Sequence, residues 1–148
     1  MRIQTPYDSE TRACEETYAT LRIMHVSLDP DEVSKLLGVE PTETQRVGDS
    51  LGSIGKRKAE LAGWFLCTKG VLSSRDVRDH LDRILDEVRG SERAFREFHA
   101  RGYEVDFACK WVSAKGHGGP ILSPPQLCAI GALGAEVWFD VYVGEITP

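Results

Sequence analysis

A strand gives way to a helix between Leu28 and Gly38, and this junction restricts the fold more than any other part of the sequence. Asp29 lies at the N-cap position, where its carboxylate accepts hydrogen bonds from the free backbone N–H groups of the first helical turn. Pro30 follows at the first helical position, which needs no N–H donor. Gly38 suits the left-handed conformation that ends many helices. The stretch therefore predicts a short helix directly after a strand, with a buried stripe of Val33, Leu36 and Leu37.

Two further segments, Leu72–Val77 and Leu122–Leu127, repeat this pattern of a helix start. Each has an apolar residue, a capping Asp or Ser, an acid or amide shortly after the cap, and a second apolar residue. The first of them predicts a helix from about Ser74 to Arg89. Its apolar stripe is Val77, Leu81, Ile84, Leu85 and Val88.

Strands are predicted at residues 18–27, 44–47, 63–69, 103–113 and 135–143, the first, fourth and fifth of them from alternating polarity. In the fourth strand the predicted inward residues are Tyr103, Val105, Phe107, Cys109 and Trp111. In the last strand Ala135, Val137, Phe139, Val141 and Val143 are predicted to face the core. The other side of that strand carries Glu136, Trp138, Asp140 and Tyr142.

These elements predict an α+β fold with a largely antiparallel sheet of about five strands and helices on one face. The order of the first elements, βαββαβ, is that of a ferredoxin-like unit, and an extra αβ follows it. We expect residues 17–148 to form a single α+β domain, because a chain of 148 residues is long enough for one core. Residues 1–16 are polar and lack periodicity, which predicts a loose N-terminal tail.

Charge and composition narrow the classes of partner. The formal net charge of −5 disfavours nucleic acid, so no such partner is expected. No apolar run reaches the roughly 18 residues of a membrane-spanning helix, and the start has no signal-peptide core, so we expect no membrane partner. The cysteines, Cys14, Cys67, Cys109 and Cys128, lie far apart, which predicts reduced thiols and a cytoplasmic location.

The sequence offers no catalytic constellation. Gly116–Gly119 looks like the glycine loop of an esterase oxyanion hole, but the chain has no Gly-x-Ser-x-Gly nucleophile elbow. The histidines and cysteines do not have the spacing of metal ligands. Cys67 and Cys109 lie in strands, where packing is expected rather than a role as nucleophile. We therefore predict no catalytic residue, no metal and no cofactor, and we favour a protein without enzymatic activity.

One face of the predicted sheet carries large amphipathic side chains. If the first, fourth and fifth strands share a sheet, that face displays Tyr18, Arg22, Asp106, Lys110, Trp138, Asp140 and Tyr142. Aromatic residues on an open sheet face are typical of interfaces. Two interpretations stay open: a protein partner or a second copy of the chain binds here, or a loop or the tail covers the face. In the first case the binding residues are Arg22, Lys110, Trp138, Asp140 and Tyr142.

The alternative function is that of a small enzyme or small-molecule sensor. Gly48–Lys58 is predicted to be a surface loop that ends in basic residues. It lacks the phosphate-loop order because Arg57 replaces the required Ser or Thr, although an anion contact by Lys56, Arg57 or Lys58 stays open. Beside this loop, opposite charges and an indole would form a ligand pocket if they converge. The pocket residues are Arg46, Asp49, Trp64 and Lys69.

Several segments together carry a resemblance to a known family. They are residues 18–23 (Tyr-Ala-Thr-Leu-Arg-Ile), Leu28–Gly38, Arg46–Asp49, Gly63–Lys69, Gly118–Pro120 and Phe139–Tyr142. In order and spacing the chain resembles the uncharacterised, mostly bacterial domain-of-unknown-function family 4279. The resemblance implies a single α+β domain and no particular catalytic residue, since that family has no established activity. The sequence as a whole predicts a small cytoplasmic, non-enzymatic binding or protein-interaction module.

Overall fold

The computed structural model of the chain describes residues 4–52, 54 and 57–144. The helices in these ranges are α1 (Pro30–Leu37), α2 (Val77–Glu87), α3 (Glu92–Ala100) and α4 (Pro124–Ala132). The strands are β1 (Cys14–His25), β2 (Glu43–Gln45), β3 (Ser50–Leu51), β4 (Arg57–Lys58), β5 (Ala62–Cys67), β6 (Glu104–Ser113) and β7 (Glu136–Val143). Within the described ranges no helix is long and apolar enough to cross a membrane.

The centre of the main sheet is β1, which pairs antiparallel with β5 on one side and with β6 on the other. The full order is β2-β5-β1-β6-β7, with β2 antiparallel to β5 and β7 parallel to β6. A parallel pair needs a crossover connection, and α4 provides it between β6 and β7. The predicted α+β class, with a largely antiparallel sheet of about five strands, is confirmed. The ferredoxin-like order βαββαβ stays a prediction, since β3 and β4 lie within it as additions.

The core lies between the helices and one face of this sheet, as predicted. Each helix contributes to a single buried cluster, through residues such as Val33, Leu81, Phe98 and Ile130. The alternation predicted for the fourth strand is confirmed in β6, where every second residue is buried. The buried residues of the strand are Val105, Phe107, Cys109, Trp111 and Ser113, and Tyr103, directly before it, is buried as well.

Helix α1 follows the predicted capping pattern. The Asp29 carboxylate accepts a hydrogen bond from the backbone N–H of Asp31 at 3.0 Å, and Gly38 ends the helix with φ 69°. The predicted stripe is too wide, because Leu36 is 42% exposed. A helix of 8 residues meets the sheet along one narrow line, which buries Val33 and Leu37 and directs Leu36 towards solvent.

Helix α2 begins at Val77 rather than at about Ser74. Its N-cap is Asp76, whose carboxylate accepts from the backbone N–H of Arg78 at 3.1 Å. The preceding residues make other hydrogen bonds, such as the one from the Arg75 N–H to the Ser9 carbonyl at 2.9 Å, and so do not join the helix. The predicted stripe is buried at Val77, Leu81, Ile84 and Val88, while Leu85 packs against it half-buried.

Residues 1–16, expected to form a loose tail, divide between two places. β1 begins at Cys14, so the last of these residues belong to the sheet. Residues 5–9 lie against α2, where the buried Arg78 guanidinium donates to the carbonyl oxygens of Thr5 and Pro6 at 3.0 and 3.1 Å. Residues 1–3 lie outside the described ranges. The hydrogen bonds from Arg78 reach backbone carbonyls, which no pattern of side chains reveals.

A short hairpin occupies the segment predicted as a loop between Gly48 and Lys58. β3 pairs antiparallel with β4, with Ser50 opposite Lys58 and Leu51 opposite Arg57. The Lys58 ammonium group donates to the Ser50 hydroxyl at 3.0 Å. Lys56, one of the predicted anion contacts, lies outside the described residues. Strands of 2 residues are too short for alternating polarity to reveal them.

The prediction that one side of the last strand faces the core is wrong for the second half of β7. Val137 packs against the core cluster, but Phe139, Val141 and Val143 are 37%, 56% and 59% exposed. The helix layer therefore covers the beginning of β7 and leaves its second half uncovered. Alternating polarity shows which residues share a side of a strand, but how far the helices extend over that side is decided by tertiary packing.

Candidate functional site

The face of the sheet opposite the helices, which we call the open face, carries the amphipathic side chains singled out in the sequence. Across β1 and β6, Arg22 lies opposite Asp106 and Tyr18 lies opposite Lys110. Residues directly opposite each other in a sheet point to the same side, and these four alternate with buried neighbours. The two central strands therefore present them together on the open face.

An ion pair joins the two central strands. The Arg22 Nε donates to Asp106 Oδ1 at 2.7 Å and Nη2 donates to Oδ2 at 2.8 Å. This bidentate hydrogen bonding raises the pKa of the Arg22 guanidinium. Arg22 is thus already engaged within the chain, and its contact holds β1 against β6.

Lysine side chains lie over tyrosine rings further along the same face. The Lys110 Nζ lies 5.6 Å from the centre of the Tyr18 ring and 5.5 Å from that of Tyr142. The Lys69 Nζ also lies 5.6 Å from the centre of the Tyr18 ring. Cation–π attraction of this kind helps to hold the rings and the ammonium groups together, and the Lys110 Nζ also lies 3.5 Å from Glu16 Oε2.

Strand β7 extends the open face to the edge of the sheet. Asp140 lies opposite Lys110, and Trp138 and Tyr142 share its side of the strand because side chains two apart do so. The Tyr142 hydroxyl donates to Asp140 Oδ2 at 2.9 Å, which raises the pKa of the phenol. Trp138 is 57% exposed and Tyr142 is 49% exposed, so the described part of the chain leaves much of both rings uncovered.

The residues of the alternative pocket lie in three places. Arg46 and Asp49 are together in a turn, where the Arg46 backbone N–H donates to the Asp49 carboxylate at 2.7 Å. Trp64 has 0% exposure and donates from its indole N–H to Ser34 Oγ at 3.0 Å. Lys69 lies over Tyr18 on the open face. Arg46 and Asp49 therefore contact each other, whereas Trp64 contacts Ser34 of α1 and Lys69 contacts Tyr18.

The sequence analysis missed the open-face residues of β5. Phe65 lies opposite Arg22, and Cys67 lies opposite Thr20, so both side chains point to the open face. Both are half-buried. The period of 2 in a strand would have revealed them, since it places Phe65 and Cys67 on one side and Trp64 on the other.

Groups that often carry catalysis are engaged in the core. His80 is buried, with ring nitrogens 2.7 Å from the Thr68 hydroxyl and 2.7 Å from the Ser74 carbonyl oxygen. Burial raises the pKa of the Cys109 thiol to about 12, so this thiol is protonated at neutral pH. Over the described ranges, no group of His, Cys, Asp and Glu side chains is arranged to hold a metal ion.

The fold and this surface define a small α+β protein whose sheet has one helix-covered face and one open face. The sequence profile of the family described as a domain of unknown function (DUF4279) matches residues 15–144, and the chain belongs to this family. The match begins within β1 and ends just after β7, so it includes the whole open face. Comparisons with curated proteins and with solved structures each found no match.

Proposed function

We propose that the chain is a small, non-enzymatic binding or protein-interaction module of the cytoplasm, which contacts a protein partner through β7 and the adjoining open face. The observation that carries the proposal is the exposure of Trp138 and Tyr142, 57% and 49%, on one side of an edge strand. Large exposed aromatic side chains contribute little to folding, and interfaces are enriched in Trp and Tyr.

The charges of the open face support a protein partner rather than a nucleic acid. The net charge of the chain is −5, and carboxylates on this face would repel phosphates. These carboxylates include those of Glu16, Glu104, Asp106, Glu136 and Asp140. Arg22 and Lys110 are each already next to a carboxylate, Arg22 at 2.7 Å from Asp106 and Lys110 at 3.5 Å from Glu16, which weakens their attraction for phosphates.

The state of the cysteines supports the cytoplasmic part of the proposal. The structure has free thiols at Cys14, Cys67, Cys109 and Cys128. Thiols persist in reducing compartments, whereas secreted domains commonly pair them.

The alternative, a small enzyme or small-molecule sensor, gains no support from the positions of its residues. A pocket near Arg46 and Asp49 would lack the indole of Trp64, which is fully buried. Thermal-shift screening against metabolites tests this alternative, because a ligand of the folded state raises the melting temperature. A metabolite that stabilises the wild type and Trp138→Ala equally would contradict the interaction module.

The proposal is tested by placing a photo-crosslinking amino acid, benzoylphenylalanine, at position 138 in cells. The matched control carries the same amino acid at Val26, which is 59% exposed in the turn after β1. We expect position 138, and not position 26, to form a covalent adduct with a second polypeptide. Equal adducts at both positions, or none at position 138, would contradict the proposal.

Stability measurements separate an interface tryptophan from a core tryptophan. Because Trp138 is 57% exposed in the single chain, Trp138→Ala should change the free energy of unfolding in urea by no more than about 0.5 kcal/mol at dilutions where light scattering shows a single chain. A loss of several kcal/mol would mean that the chain itself covers the indole. Light scattering on the same samples reports whether the substitution changes the molar mass.

A further inference from the structure

The two edges of the sheet differ in length and chemistry. At one edge, β2 has 3 residues, of which Glu43 and Thr44 are exposed and polar. At the other edge, β7 has 8 residues, and its register with β6 runs from Glu136 to Val143 without a shift. Natural edge strands are commonly kept short, or interrupted by proline, lysine or a bulge, to prevent pairing with other chains. β2 has such protection, whereas β7 has no proline, lysine or register shift.

The backbone of β7 has a defined outward side. The Gly144 N–H donates to the Ser113 carbonyl of β6 at 2.9 Å, so even-numbered residues direct their backbone groups towards β6. The odd-numbered residues therefore direct their N–H and C=O groups outwards. These are Val137, Phe139, Val141 and Val143, and in the described part of the chain no strand pairs with them.

The sequence of β7 is complementary to itself when reversed about Phe139. In this antiparallel register Val137 lies opposite Val141 of a second copy, and Phe139 lies opposite Phe139. On the open face Trp138 lies opposite Asp140, and Glu136 lies opposite Tyr142, so each acid meets an aromatic ring. A register centred on Asp140 would instead place two carboxylates directly opposite each other, which is destabilising.

We propose that the partner of this surface is a second copy of the chain, joined by antiparallel pairing of the two β7 strands about Phe139. The proposal rests on the proposed function and names its partner. The two main sheets then form one continuous sheet, and the backbone groups of Val137, Phe139 and Val141 exchange hydrogen bonds across the twofold axis. Both open faces lie on the same side, so the two Trp138 rings lie diagonally next to each other at the centre, and each Tyr142 ring lies further out beside the Trp138 of the other copy.

Light scattering of the purified chain tests the pairing. We expect a molar mass near twice 16.4 kDa for the wild type. Val141→Asp should return the mass to that of one chain, because it places a carboxylate opposite Val137 at the pairing edge. The matched control is Val71→Asp, because Val71 and Val141 have similar exposures of 52% and 56%. The Val71→Asp variant should keep the doubled mass. Circular dichroism verifies that both variants fold.

A wild-type mass of one chain at several hundred micromolar would overturn the self-pairing. The proposed function would survive that result if position 138 crosslinked to a different polypeptide in cells. Loss of the doubled mass in Val71→Asp as well as Val141→Asp would also overturn the proposal, because the effect would not be specific to β7.

Disulfide trapping tests the register. In a background with Cys67→Ser and Cys128→Ser, the register about Phe139 predicts that Phe139→Cys forms a disulfide-linked dimer under mild oxidation. Asp140→Cys should not, because its two copies lie diagonally apart, beyond the Cα–Cα separation of roughly 7 Å that a disulfide spans. Trapping at position 140 and not at 139 would refute this register, and trapping at neither position would refute the pairing.

Discussion

Replacing Arg78 by alanine should lower the free energy of unfolding by about 3 kcal/mol, because it leaves a buried carboxylate without its cation. Arg78 and Asp76 are only 3% and 8% exposed. The guanidinium Nε lies 3.0 Å from Asp76 Oδ1, and Nη2 lies 2.8 Å from Oδ2. The same guanidinium donates to the carbonyl oxygens of Thr5 and Pro6, so it also holds the N-terminal segment 5–9 on α2.

The magnitude follows from what remains after the substitution. Removing one partner of a buried ion pair commonly costs roughly 3–5 kcal/mol. We expect the lower end of this range because the Asp76 carboxylate keeps two backbone donors. They are the N–H groups of Asp8 and of residue 78, at 2.9 and 3.1 Å.

Urea unfolding followed by circular dichroism measures the effect, with Arg83→Ala as the matched control on the same helix. Arg83 is 48% exposed and pairs with Glu87 at 3.2 Å, so its removal should cost about 0.5 kcal/mol or less. Adding Asp76→Asn to Arg78→Ala should recover part of the loss, because the unpaired charge is then removed. If Arg78→Ala and Arg83→Ala unfold with the same free energy, the reasoning is refuted.

Three further predictions concern the fold. Asp29→Ala should cost about 1 kcal/mol in urea unfolding, because it removes the acceptor for the Asp31 N–H, and an unchanged free energy would contradict the N-cap. Leu81→Ala should cost roughly 2–5 kcal/mol, since Leu81 has 0% exposure, and a near-neutral result would contradict its place in the core. For Asp76, burial raises the carboxyl pKa, but hydrogen bonds from Arg78 and Asp8 outweigh this and hold the pKa below 3.8. The ionised Asp76 carboxylate therefore stabilises the fold above pH 3.8, and this contribution is lost as pH falls through the folded-state pKa. We expect the free energy of unfolding, measured against pH, to fall less steeply below pH 3.8 in Asp76→Asn than in the wild type.

The parts of the fold that the sequence predicted well are those determined by neighbouring residues. The start and end of α1 depend on Asp29, Pro30 and Gly38, whose effects act within one helical turn. The residues of β6 alternate because one side of a central strand meets the helices along its whole length. The start of α2 was predicted at about Ser74 rather than Val77, because Asp76, the actual N-cap, also contacts Asp8 in a distant segment, which local pattern does not contain.

The candidate site was predictable to the extent that alternation determines which residues share a side. The open-face residues of β1, β6 and β7 lie on one face because the period of 2 assigns each residue a side before strand order is known. The alternative pocket grouped residues by their closeness in sequence to the Gly48–Lys58 segment. The same period would have assigned Trp64 to the side of Leu66, which is the core side of β5.

The structure assigns different tasks to the five predicted binding residues. Arg22 already forms two charge-assisted hydrogen bonds with Asp106, and Lys110 already lies between two tyrosine rings. Ligand binding that broke these contacts would first have to replace their energy, so a partner gains most by leaving them intact. The side chains with surface still to bury are Trp138 and Tyr142, and the carboxylate of Asp140 lies between them with acceptor positions to spare. The central strands therefore support the surface, and β7 is the part of it that the proposed partner would touch.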